Sequence, residues 1–125
     1  MRSFVTIAVL LVALIHALPL LGVLGAARLT GLYGIALADP NLEILLRHRA
    51  VLFGMVATFL AYAAFKPEIH RLALTGGLLS VGSFIALTIL VGRPNRALQT
   101  VFRVDNAALV VLLAAGVAHL RASMP

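Results

Sequence analysis

The chain has 125 residues, of which 62% are hydrophobic and only 11% charged. That much apolar surface exceeds what one small soluble core buries, and a mean hydropathy of +1.10 makes the bilayer the expected solvent. The formal charge of +6 comes from Lys and Arg scattered at helix ends and connections, which excludes a nucleic-acid stripe, and the absence of cysteine excludes disulfides, thiolate chemistry and iron–sulfur clusters.

About 20 apolar residues cross roughly 30 Å of hydrocarbon at 1.5 Å per residue, so four spans and three short connections use up the whole length. The expected fold is all-α, a single four-transmembrane-helix bundle with no room for a soluble catalytic domain. The first apolar run, Phe4 to Gly25, follows Arg2. Its start resembles a signal peptide, and Gly25-Ala26-Ala27 offers a small-residue cleavage site, but its 22 residues suit a retained span better. Ala27 to Ala38 places Leu29, Leu32 and Tyr33 at one-turn spacing with Gly31 and Gly34 interrupting. A short interfacial helix or turn is expected there, with Tyr33 at headgroup level.

Asp39-Pro40 is a helix-start signal, because Asp caps free amides and Pro at the first helical position gives up no hydrogen bond. The second span covers residues 40–65 and ends near Lys66-Pro67, where the proline ring disfavours helical geometry in the residue before it. The third covers 70–91 and is stopped by Gly92, Arg93 and Pro94. Arg93 to Val104 reads as the last connection. Asp105 then opens a short fourth span, 105–120, flanked by Arg121.

Lipid gives helices no hydrophobic reason to associate, so small side chains mark the faces that meet. Ala50, Gly54, Ala57 and Ala61 form one such stripe, and Ala73, Gly76, Gly77, Ser80 and Ser83 another. Extending the first stripe toward the helix start brings in Glu43 and Arg47, so Arg47 is expected to point into the bundle. His16 lies roughly 13 Å in from the end of the first span, and Arg47, His48 and Arg49 lie at similar depth from Pro40. Both depths are counted from ends joined by the first connection, and Asp105 and Asn106 open the fourth helix on the same side. The expected result is one polar pocket near one leaflet, holding His16, Glu43, Arg47, His48, Arg49, Asp105 and Asn106.

Ionisable groups inside a span are costly, so they face partners or water. Glu43 precedes Arg47 by one turn in the favourable ion-pair order, and Asp105 is within reach of the remaining guanidinium. These groups either simply neutralise one another or bind a ligand. His16 either bonds a nearby carbonyl beside a Pro19 kink or serves as a proton carrier or ligand contact. Axial haem ligation by His16 and His48 is a weaker alternative, and no cofactor is expected. His119 falls at the opposite end as an interfacial anchor. His70 and Arg71 read as headgroup contacts.

The run Leu32-Tyr33-Gly34-Ile35, then Asp39-Pro40, then Leu46-Arg47-His48-Arg49-Ala50-Val51-Leu52-Phe53-Gly54, together with Ile15-His16 and Asp105, resembles small bacterial four-helix membrane proteins of the DoxX-like class. The resemblance covers nearly the whole chain, with Arg47-His48-Arg49 its most distinctive segment. It implies a bacterial inner membrane location and a small lipophilic ligand. Sequences of this kind sometimes carry the label phosphopantetheine adenylyltransferase, which these residues do not support. No two histidines lie closer than 22 positions, no strand–helix alternation occurs, and no glycine-rich phosphate loop precedes a helix.

Three functions follow from this reading. The first is a binding or accessory membrane protein whose pocket holds a lipid, a quinone or another amphiphile. The second is a membrane enzyme using histidine as acid or base on a lipid-like substrate. The third is a small oligomeric transporter. Expected partners are membrane lipids, a small lipophilic ligand and further copies of the chain, but no nucleic acid. Lys and Arg outside the helices number four on each side (Arg2, Lys66, Arg71 and Arg121 against Arg28, Arg93, Arg96 and Arg103), so orientation is not decided by charge.

Overall fold

The architecture comes from a computed structural model, which describes residues 1–124. Five α-helices are present among them: α1 (Arg2–Ala17), α2 (Ala26–Tyr33), α3 (Pro40–Ala64), α4 (His70–Val91) and α5 (Arg96–Ser123). Four segments are long and apolar enough to cross a membrane: Arg2–Leu24, Pro40–Ala64, Pro67–Val91 and Arg96–Ser123. The spans run up and down in chain order, and α2 lies at the end where the first and second spans meet.

α1 forms the centre. Val5, Ala8, Val9, Val12 and Ala13 are buried against Leu60, Ala63 and Ala64 of α3, Ala73, Leu74 and Val81 of α4, and Ala108, Leu112 and Ala115 of α5. Its helix does not continue unchanged to the end of the first span. Residues Leu18–Leu24 tighten into a 3-10 segment, because Pro19 has no N–H to donate to the carbonyl one turn back and its ring crowds that carbonyl. Gly25 ends the span at φ 127°, a conformation only glycine adopts without strain.

Asp39 caps α3 as expected, accepting from the Asn41 N–H at 2.9 Å. At its other end the Ala64 carbonyl accepts from the Thr6 hydroxyl at 3.0 Å and lies 3.2 Å from His70 Nε2. His70 is therefore not a headgroup contact. It is buried because a carbonyl orphaned at a helix end inside the bundle needs a donor. Its ring meets that of His119 edge-on at 6.1 Å, at the end of the bundle opposite α2.

The fourth span departs most from expectation. The segment read as a connection is helical from Arg96, and Asp105 lies nine positions inside α5 rather than at its start. Asn95 is the cap, its side-chain oxygen accepting from the Leu98 N–H at 2.8 Å. The same side chain donates to the carbonyls of Tyr33 at 2.7 Å and Gly34 at 3.2 Å. One asparagine thus starts α5 and fastens the C-terminal end of α2 to it.

The small-residue seams are largely where the sequence placed them. Ala50, Ala57, Ala73 and Gly77 are buried or nearly so. A methyl at Gly54 would come within 2.7 Å of Leu20, and one at Gly77 within 3.2 Å of Leu112. Ser83 is the exception: it is exposed, and its hydroxyl turns back to the Ser80 carbonyl. Thr58, Thr75 and Thr88 likewise donate to carbonyls one turn back in their own helices, which satisfies hydroxyls on lipid-compatible surfaces.

Candidate functional site

A half-open cavity of about 400 Å³ lies where the end of α1, the 3-10 segment, α2, the Arg49–Phe53 turn of α3, Phe84 of α4 and the first three turns of α5 come together. Its walls are mainly apolar, from Ile15, Leu18, Pro19, Leu32, Phe53, Phe84, Val101 and Val104. Polar side chains enter from His16, Tyr33, Arg49, Thr100 and Asp105. Arg49 and Asp105 each lie nine residues past the first residue of their helices, which both start at this end, so at 1.5 Å per residue they share a depth of about 13 Å.

Helical geometry decides which of the three consecutive basic positions on α3 faces inward. Residues 47 and 49 project about 200° apart, so the two arginines cannot share a face. Arg49 lies on the stripe of Phe53, and both line the cavity. Its guanidinium carbon stands 4.7 Å from the centroid of Phe53 and 5.1 Å from that of Tyr33. Two rings hold the cation, each contributing about 0.5–2 kcal/mol depending on how dry the site is. Tyr33 is correspondingly buried beneath it.

Arg47 does not point into the bundle. Its side chain is 48% exposed and Glu43's 31%, and their 3.3 Å contact is the only ion pair among the described residues. The Ala50–Gly54 stripe it extends packs on the short 3-10 segment, not on a full-length helix, so at the level of Arg47 the seam has run out. There Nε donates to the Val23 carbonyl at 3.0 Å, satisfying the end of that segment. The exposed pair with Glu43 adds only about 0.3–0.5 kcal/mol. His48, between the two arginines in angle, is exposed outside the cavity.

His16 is 2% exposed, with both ring nitrogens engaged. Nδ1 is 2.9 Å from the Val12 carbonyl and Nε2 is 2.7 Å from the Ser80 hydroxyl. A carbonyl only accepts, so Nδ1 carries the hydrogen, and in the neutral ring Nε2 accepts from Ser80. The side chain staples α1 to α4, and its ring also meets Phe53 at 5.7 Å. The bond to a nearby carbonyl that the sequence suggested is present.

Asp105 lines the cavity, but Asn106 turns away and donates to the Phe102 carbonyl at 2.7 Å in its own helix. Among the described residues neither Arg49 nor Asp105 makes a side-chain hydrogen bond or an ion pair. The structure therefore brings together His16, Arg49 and Asp105, and leaves Glu43, Arg47, His48 and Asn106 outside. Sequence reasoning missed Tyr33, Phe53, Phe84 and Thr100 as lining residues. The one-turn spacing of Arg49 and Phe53 was a usable signal for Phe53, whereas Phe84 had none. No group of three or more His, Asp or Glu able to hold a metal ion occurs among the described residues. No family model, curated protein or solved structure matches this chain.

Proposed function

We propose that this small membrane protein binds an amphiphile in the cavity between α2, α3 and α5, with the polar head at Arg49 and the tail along the apolar wall. One observation carries this reading: a guanidinium and a carboxyl line the same apolar cavity, and among the described residues neither makes a side-chain hydrogen bond or an ion pair. Placing an arginine in a span costs about 2.5–3.5 kcal/mol on insertion scales, and such groups normally meet a partner or water. Phe53 and Tyr33 cover part of that cation while leaving its N–H donors for an oxygen acceptor. The resemblance to DoxX-like proteins agrees with a lipophilic ligand and a bacterial inner membrane. An acid–base role for His16 is disfavoured because Val12 and Ser80 occupy both nitrogens.

The test is purification in a mild detergent followed by mass spectrometry of the extracted amphiphiles. Wild-type protein is expected to retain a defined species in stoichiometric amount, and Arg49→Gln to lose most of it. Arg47→Gln, which removes an exposed cation, is expected to retain it. Equal retention by both variants, or no specific species with the wild type, would overturn the reading.

A further inference from the structure

The charge arrangement of the cavity narrows the class of head it accepts, a step that rests on the binding function proposed above. Arg49 projects from α3 and Asp105 from α5, at matched depth on different walls of one cavity, with no ion pair within 4.0 Å between them. Their formal charges cancel. A purely anionic head on Arg49 would bring its charge near a carboxylate, and a head with acceptors only would leave that carboxylate without a donor. A head with an anionic acceptor at one end and a cationic N–H donor at the other satisfies both.

Depth identifies the source of such a head. Counting about 20 residues back from Ala64 and from Leu120 puts the hydrocarbon edge near Leu45 and Val101. Arg49 and Asp105 each lie about one turn inside that edge, roughly 6 Å by helical rise. The Arg49 guanidinium is held there between the rings of Tyr33 and Phe53, within reach of a headgroup drawn into the half-open cavity. Phe53, one turn further into α3, and Ile15 and Phe84 from α1 and α4 add apolar wall beside it, suited to the start of an acyl chain, and the cavity is half open. A free water-soluble zwitterion gains little from such walls. A membrane lipid arrives with its chains already in the hydrocarbon.

We propose that the site selects a zwitterionic glycerophospholipid with a primary ammonium, phosphoethanolamine in chemistry. The phosphate faces Arg49, the ammonium faces Asp105, and the chains leave through the open side. Thr100 also lines the cavity from α5, its hydroxyl donating to the Arg96 carbonyl at 3.1 Å.

Native mass spectrometry of the detergent-solubilised full chain, titrated with short-chain phosphatidylethanolamine, phosphatidylcholine and phosphatidylglycerol, tests this. Wild-type protein is expected to bind the ethanolamine lipid roughly tenfold more tightly than the glycerol lipid, the scale of one hydrogen bond to a charged group. Asp105→Asn, nearly isosteric, is expected to abolish that preference while still binding phospholipid; Asp105→Glu keeps the charge and is expected to keep the preference. If Asp105→Asn leaves the ethanolamine-to-glycerol ratio unchanged while Arg49→Gln weakens every lipid, the zwitterion assignment fails and the binding function stands. If Arg49→Gln weakens none, the binding function itself fails. Displacement of bound lipid by free phosphoethanolamine at matching concentration would overturn the choice of a lipid as the source.

Discussion

At the scale of single residues, the polar groups divide into those consumed by the fold and those left over. His70, Asn95 and Arg47 each satisfy a backbone carbonyl where a helical segment ends, and His16 is spent between a carbonyl of its own helix and Ser80 of α4. Such groups have no water to turn to inside a bilayer, which is why side chains of functional appearance so often serve the backbone. Ser80→Ala tests this for His16. It removes the donor to a buried Nε2, and the loss is expected to be about 0.6–2 kcal/mol, read as a lower unfolding temperature in detergent with amphiphile retention preserved. Histidine depth was legible in the sequence, but the partner on α4 was not. His16 and Ser80 are 64 positions apart, and nothing local reports that they touch.

At the scale of elements, helix starts and stops were read well wherever a chemical punctuation mark stood. Asp39-Pro40 and Lys66-Pro67 bound α3, and Gly92 ends α4, because capping and proline geometry act within a few residues. The fourth span was cut short because its first two turns carry Arg96, Gln99 and Arg103 and read as a polar connection. Asn95 and the spacing of Ala97, Val101 and Asp105 were the evidence for a helix there. A span of 28 residues, about 42 Å, outreaches the hydrocarbon and carries its polar turns beyond the edge. α2 depends on that extension through Asn95. Asn95→Ala is expected to loosen α2 selectively, so hydrogen exchange should quicken across residues 26–38 and leave the centre of α1 protected. Uniform acceleration across all helices would contradict a local clamp.

At the scale of the whole molecule, the bundle is held by close approach of backbones through small residues rather than by expulsion of water. Gly77 is one such case between two full-length spans, with Leu112 3.2 Å from where a side chain would begin. Gly77→Ala is expected to be mild, since the end of a leucine gives way by a few tenths of an ångström. Gly77→Leu overpacks the α4–α5 seam and is expected to cost about 1–3 kcal/mol, measured as a clear drop in unfolding temperature. Composition, span length and punctuation alone determined the solvent, the all-α class, the number of spans and most of their limits, because those depend on local chemistry and on the thickness of a bilayer. Tertiary structure decided which of two arginines, two positions apart, faces the cavity. A stripe of small residues says that a helix packs against something, but not whether its partner is a full-length span or a 3-10 segment that ends beneath it; here the shorter partner left Arg47 at the rim and Arg49 within.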